Sequence, residues 1–145
     1  MTIETTGAIR ARLLGAWRLV TWQSIGEDGA VTYPWGQDIT GQLMYDDSGR
    51  MTGHLVRTGQ LRFASEDWRE ATPEEMVRAW PAYFGYFGTF SVDTARSTVT
   101  HHVESGWFPN LAGTEQVRRY AFEGRRLVLD SDTAWGRVRL VWERV

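Results

Sequence analysis

An all-β fold, an antiparallel up-and-down barrel of about eight to ten strands with one or two short helices, is predicted from three observations. Short runs of alternating apolar and polar residues recur along the chain, separated by turns rich in glycine and Asp. No strand–helix–strand spacing of the kind that builds a parallel sheet interrupts them. Eight Trp, five Tyr and six Phe are more large flat groups than a core of 145 residues usually needs, and a lined cavity would use them. A barrel of about eight strands is the smallest that holds one small ligand inside.

The elements are taken in chain order. Ile9, Leu13 and Leu14 recur at helical spacing, which predicts a short helix over Thr6 to Leu14 leading into or plugging the strands after it. A first strand runs from Trp17 to Ile25, and Asp28-Gly29 turns the chain back into Val31-Thr32-Tyr33, which Pro34 ends. Gly41 to Tyr45 and Met51 to Val56 flank Asp46-Asp47-Ser48-Gly49, residues that tolerate the positive φ of a tight hairpin. After a polar, irregular stretch, Thr72-Pro73-Glu74-Glu75 carries a Thr N-cap, a proline at the first helical position and a glutamate placed for a capping box. The resulting helix, Pro73 to about Trp80, is expected to cover one opening of the barrel with Met76, Val77 and Trp80 as its apolar stripe. Further strands are expected at Thr114 to Phe122, Leu127 to Asp130 and Arg137 to Arg144.

The central hairpin, Gly85 to Asn110, carries the least ordinary chemistry. Phe84, Tyr86, Phe90 and Val92 share one parity with Gly88, and Asp93 to Ser97 supplies the turn. On the return arm Thr98, Thr100, His102 and Glu104 share one face and Val99, His101 and Val103 the other, so the adjacent histidines point in opposite directions and at most one faces the interior.

Composition excludes several classes of function. With 16 basic and 18 acidic residues the net charge is −2, which leaves no electrostatic footprint for nucleic acid or an anionic membrane. Every basic residue is arginine and there is no cysteine, so Schiff-base chemistry through lysine, thiolate nucleophiles, disulfides and Cys-ligated zinc are all ruled out. No segment has the length and apolarity of a signal peptide or a membrane span, which predicts a cytoplasmic protein, monomeric or homodimeric, folded as a single domain over residues 1–145. No GxGxxG or GxxxxGK[ST] loop is present, and a serine-hydrolase elbow is missing, so no nucleotide cofactor is expected. His102, Glu104 and His54 fall short of a metal-ligand signature, and no metal is expected either.

Gly15-Ala16-Trp17 matches the short Gly-x-Trp signature at the first strand of lipocalins and related calycins. The fuller run LLGAWRLVTW, with TYPWG, GQLMY, TPEE, YFGTFSVD, VTHHVE, FPN and GTEQVRRY in that order, resembles the bacterial lipocalin-like domain family over about Leu13 to Glu143. The resemblance implies a closed or nearly closed calycin barrel, with Trp17 at its closed end packed against an arginine of the last strand, Arg139 or Arg144. Such barrels are known both as carriers of hydrophobic molecules and as cofactor-free cyclases or isomerases of natural-product pathways, so fold alone does not assign the activity.

Two groups of residues are therefore candidates. His102, oriented by Glu104 and helped by Tyr86, would move a proton, since histidine titrates nearest neutrality and a carboxylate two residues along the same strand face can steer it. The resemblance favours His102, with His101 in reserve; the opposing reading is that this polar face is the solvated outside of the barrel. Trp22, Tyr33, Trp35, Tyr45, Tyr83, Phe90, Trp107, Phe108, Arg118 and Tyr120 would line the ligand cavity, with Trp107 and Phe108 on a rim loop. Of Arg118 and Arg119, whichever points inward could pair with a ligand carboxylate or enolate. The expected partner is a hydrophobic small molecule, either bound and isomerised or cyclised without cofactor, or simply carried.

Overall fold

A computed structural model describes residues 4–145. Helix α1 (Thr6–Leu13) leads into strand β1 (Gly15–Ile25), after which come β2 (Val31–Thr32), β3 (Ile39–Tyr45), β4 (Arg50–Arg57), helix α2 (Pro73–Ala79), β5 (Tyr83–Asp93), β6 (Thr98–Gly106), β7 (Glu115–Glu123), β8 (Arg126–Thr133) and β9 (Gly136–Arg144). The sheet order is β2-β1-β3-β4-β5-β6-β7-β8-β9, and β1 also pairs with β9, so eight antiparallel strands close into a barrel while β2 adds a short ninth strand at its edge. Closure leaves the barrel strands without a free edge.

One end is plugged. Thr5 caps α1 by accepting from the Ala8 N–H, and the helix drives Ile9 and Leu13 into a core of Trp17, Leu43, Tyr45, Phe90, Val99 and Leu127. The Trp17 indole N–H donates to the Leu13 carbonyl at 2.8 Å, tying the helix to the first strand. Arg144, at the end of β9, settles the choice that parity left open: its guanidinium lies 4.1 Å from the Trp17 ring centre and donates to the carbonyls of Leu14 and Arg12. Gly15 makes this possible. Its φ is +114°, and a Cβ there would stand 2.9 Å from the Arg144 guanidinium. The Gly-x-Trp signature thus joins a backbone turn, an aromatic plug and the cation that covers it.

The other end differs from expectation in one respect. The capping box of α2 forms as read, with Thr72 and Glu75 bonding reciprocally. Yet α2 buries none of its residues: Met76 and Val77 remain 52% and 75% exposed, and none of the helix lines the space inside the barrel. A helix of two turns held chiefly through Trp80, which packs on Trp107 at 4.7 Å, stands beside the barrel and contributes to an outer apolar groove with Phe63, Trp68 and Tyr83.

Candidate ligand cavity

The interior is set by strand parity. On β6, Val99, His101 and Val103 are buried, while His102 and Glu104 face solvent. This corrects the expectation for that pair. The buried face of an outer-wall strand takes the residues that fit beside Leu and Phe, and two valines flanking His101 outweigh a polar His–Glu pair that water can solvate at no cost. His102 bonds Ser91 Oγ at 2.8 Å and lies 3.3 Å from Glu115, with 39% of its side chain exposed. Glu104 pairs with Arg50 at 2.9 Å on the outside, and that guanidinium holds its carboxyl below the usual range.

His101 instead sits between two tyrosines, with Tyr45 Oη 2.6 Å from Nε2 and Tyr86 Oη 2.6 Å from Nδ1. Burial, with Arg118 and His102 adding to it, pushes its pKa down to about 3, so the ring is neutral and carries one N–H. The position of that proton comes from hydrogen-bond accounting. Tyr45 is 1% exposed and its hydroxyl meets only Nε2 among the described residues, so its proton must go there. Nδ1 then bears the hydrogen and donates to Tyr86, whose own proton is left free to point into the cavity. Burial raises the Tyr86 hydroxyl pKa, and the adjacent Arg118 guanidinium works against that rise.

Tyr86, His101, Arg118 and Trp142 meet at the foot of the cavity, a space of about 40 Å³ walled otherwise by Leu43, Met51, Leu55 and Phe84. Leu55, Phe84, Arg118, Leu129 and Leu140 also line the wider space above, about 460 Å³, which opens to solvent past Trp22, Trp107, Phe108 and Trp135. On β7, Arg118 points inward; Arg119 points out and pairs with Asp132 at 2.7 Å. Among the described residues, no Asp or Glu lines either space.

The predicted lining residues divide accordingly. Trp22, Trp107, Phe108 and Arg118 line the cavity, joined at its foot by Tyr86. Trp35 backs Trp22 edge-on at 4.7 Å. Tyr45 and Phe90, 4.8 Å apart, belong to the packed closed end rather than to the lining, and Tyr120 packs from beside the core against Phe122. Tyr33 is exposed on the loop after β2, where Pro34 takes the chain away from the barrel. Tyr83 faces outward on β5 and bonds His54, whose other ring nitrogen meets Thr52 Oγ1 at 2.9 Å. Trp142, Leu129 and Leu140 are lining residues that sequence reasoning missed, although the inward parity of β8 and β9 contains the signal for them. The indole N–H groups of Trp22, Trp107 and Trp142 are buried and have no hydrogen-bond partner among the described residues.

A family model described as "Lipocalin-like domain" matches residues 14–145. No curated protein matches the chain. Among solved structures, the fluorescent protein UnaG is similar at 12% identity over 93% of this chain and 98% of that one, with a TM-score of 0.43. A fatty-acid-binding protein of Echinococcus granulosus is similar at 12% identity over the same shares, with a TM-score of 0.44.

Proposed function

The chain belongs to the lipocalin-like domain family, and from that premise we propose that it binds a hydrophobic small molecule inside the barrel. The observation that carries this reading is the cavity of about 460 Å³, open at one end, aromatic at its rim and narrowing to a polar foot. Pockets of this size, mostly apolar with a few convergent polar groups, suit one small ligand. The plug of α1 and Trp17 directs access to the opposite mouth. Titrating the protein with anthracene-9-methanol, a flat neutral probe, is expected to quench tryptophan emission saturably at one probe per chain. Replacing Leu140, on the wall of both spaces, by Trp narrows the cavity and is expected to weaken binding at least about tenfold. Absence of saturable binding by the wild type would sink the proposal.

A second reading is favoured by the Tyr45–His101–Tyr86 chain: cofactor-free proton transfer, of the isomerase or cyclase type found in natural-product chemistry. Tyr86 would lend its free proton to a carbonyl oxygen and, as the phenolate, take one back from the α-carbon, so that the enol forms and Tyr86 is restored, with Arg118 beside it to stabilise the developing negative charge. His101 Nδ1–H and Arg118 hold the phenolate that forms meanwhile. Tyr45 keeps its own proton, because burial raises its pKa well above the ordinary value. The acid is thus Tyr86 steadied by His101, in place of the His102–Glu104 pair that faces solvent. Deuterium uptake at the α-carbon of β-tetralone is expected to be catalysed by the protein, to drop at least about tenfold in Tyr86→Phe, and to survive in His102→Ala. Loss in His102→Ala instead would reverse the assignment.

A further inference from the structure

The foot of the cavity is a set of hydrogen-bond donors with no anion among the described residues to receive them. Arg118 is half-buried on β7, and among the described residues its guanidinium meets only neutral oxygens, Val117 O at 3.1 Å, Gln116 Oε1 at 3.4 Å and the adjacent Tyr86 hydroxyl. Several arginines on the outside of the barrel wall have carboxylates: Arg50 has Glu104, Arg119 has Asp132, and Arg139 has Asp130. A cation turned inward without a counter-charge, carrying five N–H groups, is an unfavourable arrangement unless an anion joins it. Tyr86 adds a free proton, its oxygen already accepting from His101. Trp142, buried and lining the same space, adds an indole N–H without a partner among the described residues. His54, at the edge of that space, contributes nothing more, since Thr52 and Tyr83 occupy both of its nitrogens.

We infer that the ligand is an apolar acid, whose deprotonated oxygen group sits at the foot of the cavity between Arg118, the Tyr86 hydroxyl and the Trp142 indole N–H, with its apolar body filling the wider space toward Trp22 and Trp107. This rests on the binding reading above and narrows it to a chemical class. The foot, about 40 Å³, has room for the two oxygens of one carboxylate, given that a water needs about 10–15 Å³ by the same measure. Carboxylate, enolate and phenolate share the required chemistry, a delocalised oxyanion accepting two or three charge-assisted bonds. An ammonium head would instead face Arg118 with no carboxylate of the described residues in the lining.

The experiment compares three probes with one body near neutral pH: anthracene-9-carboxylate, anthracene-9-methanol and 9-(aminomethyl)anthracene. The wild type is expected to bind the carboxylate at least about tenfold tighter than the alcohol, and the ammonium most weakly. In Arg118→Met, which keeps the length and apolar bulk of the side chain, the carboxylate and the alcohol are expected to bind within about threefold of each other. Equal affinity for the three heads in the wild type, or a preference for the ammonium, overturns the inference while leaving hydrophobic binding intact. A carboxylate preference that persists in Arg118→Met also overturns it, by placing the oxyanion elsewhere. Failure of all three to bind overturns both readings.

Discussion

His101 has one hydrogen to give and two tyrosines to satisfy, and its burial couples that arrangement to acidity. In the unfolded chain its imidazole takes a proton as the pH falls through about 6.5; in the barrel it resists until about 3. Between those values the unfolded state binds more protons, so stability is fully present above about 6.5 and is lost on acidification, by up to about 1.4 kcal/mol per pH unit. Carboxylates such as Asp46, lowered from 3.8 chiefly by its Ser48 hydrogen bond, lose their contribution only further down. Denaturant titrations from pH 7 to about 4.5 should therefore show wild-type stability declining with a slope that His101→Gln removes, since an amide does not titrate. An equal slope in the variant would show that other groups govern the acid sensitivity.

At the scale of elements, hairpins were legible because their turn residues and period-two alternation are local. Every strand of the barrel falls where a run of alternating residues predicts one, and the capping box at Thr72 and Glu75 forms as spaced. Facing was less legible. The alternation on β6 states that His101 and His102 oppose each other but not which way is in, because that depends on the sheet around them. The two valines beside His101 held the answer, and the polar pair at His102 and Glu104 drew attention away from it. For α2 the apolar stripe was real but its partner was not the barrel, since a stripe specifies a buried face only when another element lies opposite. Gly88 shows the reverse case, where a residue read only as a parity match has a steric role. It stands at the register shift between β5 and β6, and a Cβ there would strike the His102 carbonyl oxygen. Gly88→Ala is expected to cost at least about 2 kcal/mol in chemical denaturation; a loss below about 0.5 kcal/mol would mean the bulge yields freely.

At the scale of the whole molecule, the barrel is a series of neighbouring strands with one exception. From β3 to β9 each strand pairs with the next along the chain, whereas the seam joining β1 to β9 brings Trp17 opposite Arg144. Hairpins form quickly because their loops are short; a seam whose two sides lie at opposite ends of the sequence carries the full entropic cost of closing the longest loop. Arg144, bridging to the Leu14 carbonyl at 2.7 Å across a separation of 130 residues, is therefore expected to act as a latch that engages after the rate-limiting barrier has been crossed. Such a contact governs how long the closed barrel lasts rather than how fast it is made. Stopped-flow measurements on Arg144→Met are expected to show unfolding accelerated about tenfold with the refolding rate nearly unchanged, and a refolding rate slowed by a similar factor would place the seam in the nucleus instead.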